Sequence, residues 1–200
     1  FGAIGFTYLM IMGELDLSVG SVFAFSGMMT AMFMKGGMSL APALILSIML
    51  STLFGLINGY LVVRFRVSSM MITLGTMTAI RGLANLLCSN LYGYPYSNNY
   101  QMLAKVKIGD VYLTVYIMIL LAVILEIMLN RMVIFRKMYY VGENIDTARI
   151  YGIKSGRLKI VVFTVSAFLS SIGGILIGAR LGFADTTIGS GLEFTILTAV

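Results

Sequence analysis

No histidine occurs in these 200 residues, and Cys88 is the sole cysteine. Those absences exclude disulfide pairing, zinc centres built on His and Cys, and histidine acid–base catalysis within this segment. Charge is scarce as well, with Asp, Glu, Lys and Arg making up 11% of the chain. No GxxxxGK[ST] run is present, so the chain lacks a phosphate-cradling loop of that kind, and any energy source has to be another chain or an ion gradient. What is abundant is apolar surface: hydrophobic residues form 59% of the chain, and mean hydropathy is +0.97. A soluble core of this size does not require that balance, so the composition reads as an all-α polytopic membrane protein.

Apolar windows of membrane-crossing length fall near 19–34, 41–63, 69–88, 113–130 and 160–179, with two shorter runs at 1–12 and 192–200. The expectation is a bundle of about six to seven spans forming one transmembrane domain over 1–200. The chain opens on Phe1 inside one apolar run and stops at Val200 inside another, which reads as the middle of a longer protein. Orientation follows from the basic residues. Segment 131–159 carries Arg131, Arg136, Lys137, Arg149, Lys154, Arg157 and Lys159 against Glu143 and Asp146, and the short 64–67 turn carries Arg64 and Arg66. The positive-inside rule puts both in the cytoplasm and leaves loop 89–112 outside. The tyrosines there, Tyr92, Tyr94, Tyr96 and Tyr100, suit an interfacial belt better than a ligand site. The net charge of +6 therefore reports topology and gives no reason to invoke nucleic acid.

Two polar islands interrupt the apolar runs. The first is GELDLSVGS, Gly13 to Ser21, where Glu14 and Asp16 are the only charges before Lys35. An ionised carboxylate at mid-membrane costs about 2.5 to 3.5 kcal/mol on insertion scales, so both should line water or meet a partner. Two geometries fit: separate spans joined by a tight polar turn, or halves of a discontinuous helix lining a solute path. In either, Asp16 or Ser18 can cap the following helix. The second island lies in 69–88, where Thr73, Thr76 and Thr78 can bond to carbonyls of their own helix, and Arg81 either snorkels outward or pairs with Glu14 or Asp16. Gly55 and Gly59, and Gly174 and Gly178, are spaced for close helix approach, and Asn58 can hydrogen-bond across the first contact.

Within the basic segment lies GENIDTARIYGI, Gly142 to Ile153. Asn144 suits an N-cap, Asp146 falls in the first turn where the dipole favours an anion, and Gly152 can end the helix. A helix of about two turns needs a surface to pack on, and Ile145, Ala148 and Tyr151 are the side chains expected to face it. That surface is either a soluble partner or the protein's own membrane domain.

Taken together, these segments resemble the permease subunits of bacterial ATP-binding-cassette importers of the ribose and autoinducer-2 type. GELDLSVGS is similar to that family's G-G-x-D-L-S-V-G-S, with Glu14 in place of the second glycine. Gly55 to Val67 is similar to its G-x-x-N-G segment, Ile72 to Ala84 to T-L-G-T…R-G-L, Gly142 to Ile153 to G-x-N-x-x-A-A-R-x-S-G-I, and GSGLE at 189–193 to G-x-G-x-E-L. The resemblance implies a plasma (inner) membrane importer half: a second permease subunit, identical or homologous, completes the path, a cytoplasmic ATP-binding subunit holding ATP and Mg drives it, and an extracytoplasmic solute-binding protein delivers the solute. It assigns Asn144, Ala148, Arg149 and Gly152 to the coupling helix, while Tyr151, Thr147, Ser68, Phe194 and Thr195 depart from the family pattern. On this reading the chain has no cofactor, metal or catalytic residue of its own, and Glu14, Asp16, Ser18, Asn58, Thr73 and Arg81 are candidates for the solute path. The rival readings are an ion-coupled carrier built on the carboxylate-bearing segment, a scaffold subunit without a path, and an intramembrane enzyme, for which Asp16 lacks an evident second aspartate.

Overall fold

The structure, a computed structural model, describes residues 1–89, 96–183 and 187–200. Helices dominate: α1 (Gly2–Ile11), α2 (Val19–Lys35), α3 (Leu40–Phe65), α4 (Ser69–Cys88), α5 (Asn98–Lys105), α6 (Leu113–Arg131), α7 (Val133–Glu143), α8 (Ile145–Ile150), α9 (Ser155–Leu181) and α10 (Leu192–Ala199). A two-residue ladder, β1 (Lys107–Ile108) with β2 (Val111–Tyr112), joins α5 to α6. Among the described residues α3, α4 and α9 are long and apolar enough to cross a membrane, and Gly2–Ile11, Val19–Lys35 and Leu113–Ile127 are shorter apolar helices.

The bundle is organised around α9, and glycine decides how closely each neighbour approaches it. Gly55 lies against Phe163 and Ala167, and Gly59 against Ile160, so α3 and α9 run antiparallel along the small face of α3. Gly174 meets the backbone of Phe23, and Gly178 meets Gly27, so α2 runs parallel to α9. Side chains at these positions would hold the helices apart, because close backbone approach in such seams depends on small residues. Both small-residue pairs are thus consumed inside one chain.

Helices α1 and α2 cross α9 in opposite senses. Phe1 sits beside Gly173 and Gly5 against Ser166, which makes α1 antiparallel to α9. The 12–18 segment is therefore a reversal between two helices, and the discontinuous-helix geometry is set aside. Gly13 occupies φ +70° in that reversal, a region an L side chain enters only at a cost.

The basic segment 131–159 is more ordered than a loop. Phe135, Met138 and Val141 are buried while Arg136, Lys137, Tyr139 and Tyr140 are exposed. That helical spacing makes α7 amphipathic. Tyr8 and Phe135 pack with ring centroids 5.5 Å apart, and Gly142 brings α7 against the backbone of Ile11. α9 also starts at Ser155, before its apolar run, so its charged first turns project beyond the hydrophobic stretch.

At the opposite end, α5 inserts beneath α2 and α9. Tyr100 is fully buried, its hydroxyl 3.2 Å from the Gly27 carbonyl and 3.0 Å from that of Ile175. Tyr96 is buried beside it. Both depart from the interfacial-belt expectation, because α5 seats them against α2 and α9, where the Tyr100 hydroxyl finds carbonyl acceptors inside the bundle. Tyr92 and Tyr94 lie outside the described residues.

Candidate functional site

The backbone of the reversal between α1 and α2 is held by two side chains of α4. The Leu15 N–H donates to Ser69 Oγ and the Leu17 N–H to Thr73 Oγ1, both at 3.1 Å. Asp16 turns back on the chain, its Oδ1 accepting the Ser18 N–H at 2.9 Å and the Ser18 hydroxyl at 2.6 Å. The same hydroxyl accepts from Asn58 Nδ2 at 2.9 Å. Asp16, Ser18 and Asn58 thus form one buried network connecting the reversal with α3, and buried Thr73 holds the adjoining Leu17 backbone from α4. Asp16 Oδ2 and Asn58 Oδ1 are buried there without a hydrogen-bond partner. Unpaired buried acceptors are costly, so the network keeps polar capacity that packing does not use. Among the described residues no three His, Cys, Asp or Glu side chains converge as metal ligands.

Glu14 pairs with Lys159 of α9 and not with Arg81. Asp16 is engaged with Ser18, so neither carboxylate meets Arg81, whose Nε and Nη2 are buried without a partner. Of the two alternatives for Arg81, pairing with Glu14 or Asp16 is not the one seen: Arg81 lies on α4 two helical turns or more beyond Ser69 and Thr73, the α4 residues that touch the reversal. Thr76 and Thr78 bond to carbonyls of their own helix.

Sequence reasoning counted Lys159 only as a topology signal, because α9 begins earlier than its apolar run suggests. It also passed over Glu193. That side chain is buried against Gly20, with Oε1 accepting the Gly191 N–H at 3.3 Å and Oε2 unpaired. A single carboxylate inside the terminal apolar run was the available signal.

The second site is α8. Asn144 Oδ1 accepts the N–H groups of Asp146 and Thr147 at 2.9 and 3.1 Å, satisfying donors that the first turn leaves free. The helix closes when Gly152, at φ +73°, donates to the Arg149 carbonyl and Ile153 donates to that of Ala148, each at 3.0 Å. Those two bonds are the glycine-terminated C-cap pattern. Arg149 and Asp146 approach to 3.8 Å while both stay largely exposed, a geometry that contributes little. Ala148 is 0% exposed and packs into the core that also contains Met138, Val141 and Leu158. Of the two surfaces left open for it, Ala148 therefore faces the protein's own bundle, and Tyr151 does not share that face. Ile150 and the C-cap Tyr151, 85% and 76% exposed, are the large apolar side chains presented outward at the end of α8.

α8 and the α3–α4 turn border one cavity of about 590 Å3, lined by Arg66, Arg149, Ser155, Glu14 and Lys159 among others. Both basic segments therefore lie at the same end of the bundle, as the positive-inside assignment requires.

A family model described as branched-chain amino acid transport system / permease component matches residues 1–200. The chain belongs to this permease family. The permease is similar to the ribose import permease protein RbsC of Haemophilus influenzae, 30% identical over 99% of this chain and 62% of that relative. The corresponding Bacillus subtilis protein is also 30% identical over 99% of this chain and 62% of its own length. The autoinducer 2 import system permease protein LsrC of Photorhabdus luminescens is 27% identical, over 98% of this chain and 60% of its own length. The chain thus spans under two thirds of the relatives it matches. No solved structure matches it.

Asp16 in this permease can be separated into scaffold and path roles. Asp16→Ala leaves a buried N–H and a buried hydroxyl without their acceptor, and is expected to lower stability by about 2 to 4 kcal/mol. Asp16→Asn keeps the Oδ1 acceptor and should stay within about 1 kcal/mol of wild type. Thermal unfolding of the detergent-extracted protein reads both. Equal loss in the two variants would show that the carboxylate charge, rather than the acceptor geometry, holds the turn.

Proposed function

We propose that the chain is the membrane permease subunit of an ATP-driven importer that carries a small hydrophilic solute, a ribose-like monosaccharide or an autoinducer-2-like sugar derivative, across a bacterial plasma membrane. The observation that carries this reading is α8: a capped helix at the basic end, seated on the permease by Ala148 and presenting Ile150 and Tyr151 outward. A seated helix of this kind transmits force, because a push on its outer face reaches α9 through the buried core. The permease would act without catalysis of its own. ATP and Mg would be held by a separate cytoplasmic subunit, a second permease subunit would complete the path in the bilayer, and an extracytoplasmic binding protein would supply the solute. The relatives named for ribose and autoinducer 2 support the sugar class over the amino acid named in the family description.

A second reading, an ion-coupled carrier, draws on the unpaired Asp16 Oδ2, since a buried carboxylate oxygen without a partner in a membrane domain is a candidate ligand for a coupling ion. Uptake of labelled ribose into proteoliposomes holding the full-length permease separates the two. The importer reading expects accumulation that requires the ATPase, ATP and a binding protein, and that survives a protonophore and sodium removal. Accumulation without the ATPase, abolished by collapsing the ion gradient, would replace that reading with the second.

A further inference from the structure

Glu14 stands at a position where the similar motif has glycine, and it pairs with Lys159, which is 145 residues away in the chain. Their side chains are only 11% and 18% exposed, in a setting where a charge without its partner is strongly disfavoured. Glu14 belongs to the reversal that carries Asp16. Lys159 lies one turn into α9, which follows α8 after a short connection. The pair lines the same cavity as Ile145 and Arg149 of α8. Among the described residues, the polar side-chain contacts that reach the reversal from other helices are the Ser69, Thr73 and Asn58 bonds, from α3 and α4, and this ion pair, from α9.

We propose that the Glu14–Lys159 ion pair is the mechanical link through which movement of α8 and the base of α9 reaches the Asp16–Ser18–Asn58 network, so that both residues position the solute path without touching solute. The transmission half of this proposal rests on the reading of α8 as the surface on which an ATPase acts. The link itself does not. α8 moves the first turns of α9, Lys159 carries Glu14, and Glu14 moves the reversal, while α3 and α4 hold its other side. Without the pair, the base of α9 can shift while the reversal stays with α3 and α4.

The test compares wild type, Glu14→Gln, Lys159→Met and the swap Glu14→Lys with Lys159→Glu, all in the full-length permease. Hydrogen exchange of the 13–18 amides in nanodiscs needs no ATPase. It should quicken about tenfold or more in both single variants, as when local opening becomes easier, and return toward wild type in the swap. Exchange unchanged in the single variants overturns the link, whatever drives transport. With ATPase and binding protein present, the single variants should keep most ATP hydrolysis and lose at least tenfold in solute moved per ATP, with recovery in the swap. Parallel loss of hydrolysis and transport, or a swap no better than the single variants, overturns transmission. ATPase-independent transport by wild type would instead sink the importer reading, leaving the exchange result to judge the link alone.

Discussion

Ile150→Asp is expected to abolish capture of a cytoplasmic ATPase while the extracted permease stays within about 0.5 kcal/mol of wild-type stability, as exposed substitutions do. Ile150 is the most exposed apolar residue of α8 and has little packing to lose. At a protein interface the same side chain would be desolvated, and a carboxylate there would face either an apolar pocket or an unpaired position. Ala148→Arg should behave in the opposite way. Ala148 is sealed beneath α8 against α7 and α9, so the arginine brings an unpartnered charge and excess volume into a packed core. The expected cost is about 3 to 5 kcal/mol, seen as a lowered unfolding temperature and aggregation on size-exclusion chromatography. Co-purification with the ATPase, read beside thermal unfolding, distinguishes the two. Should Ala148→Arg remain folded and lose only the ATPase, the inward seating of α8 would be wrong.

The second large effect is expected at Gly174. A side chain there would meet the Phe23 carbonyl and the Ser26 hydroxyl, and Ser26 already donates to the Ser171 carbonyl at 2.9 Å across the same seam. Gly174→Leu forces α2 away from α9 and is expected to cost about 3 kcal/mol or more. Because α9 is the axis on which α1, α2 and α3 all pack, loss of this seam should leave protease-sensitive protein. Gly75→Ala is the matched control: its surroundings are open, and replacing a helical glycine there should be neutral or stabilising by about 0.5 to 1 kcal/mol. Limited proteolysis in membranes and fluorescence-detected unfolding read both. Equal behaviour of the two variants would remove the case for a tightly packed α2–α9 seam.

Helix identity and the common end of the basic segments were legible in the residues, because both depend on local properties. Runs near 41–63 and 69–88 are apolar over a membrane-crossing length, and the excess of Lys and Arg at 64–66 and 131–159 marks one end of the bundle. The ends of α8 were legible for the same reason: Asn144 and Gly152 act on backbone groups within a few residues. The amphipathic α7 was present in the spacing of Phe135, Met138 and Val141, but the surrounding charges masked it in a search for membrane-length runs.

What only the tertiary structure decided was direction and partnership. Whether Ala148 faces outward or inward depends on where α7 and α9 lie, and no local pattern contains that. Lys159 was chosen over Arg81 as the partner of Glu14 because a reversal at 12–18 sets Glu14 beside the base of α9, a consequence of α1 and α2 crossing α9 in opposite senses. The burial of Tyr100 likewise follows from the seating of α5 against α2 and α9. The sequence by itself determined which segments leave water and which end carries the charge, since transfer free energy is summed residue by residue. Pairing among the buried polar groups waited on the fold, because a hydrogen bond or ion pair depends on distance and orientation between residues far apart in the chain.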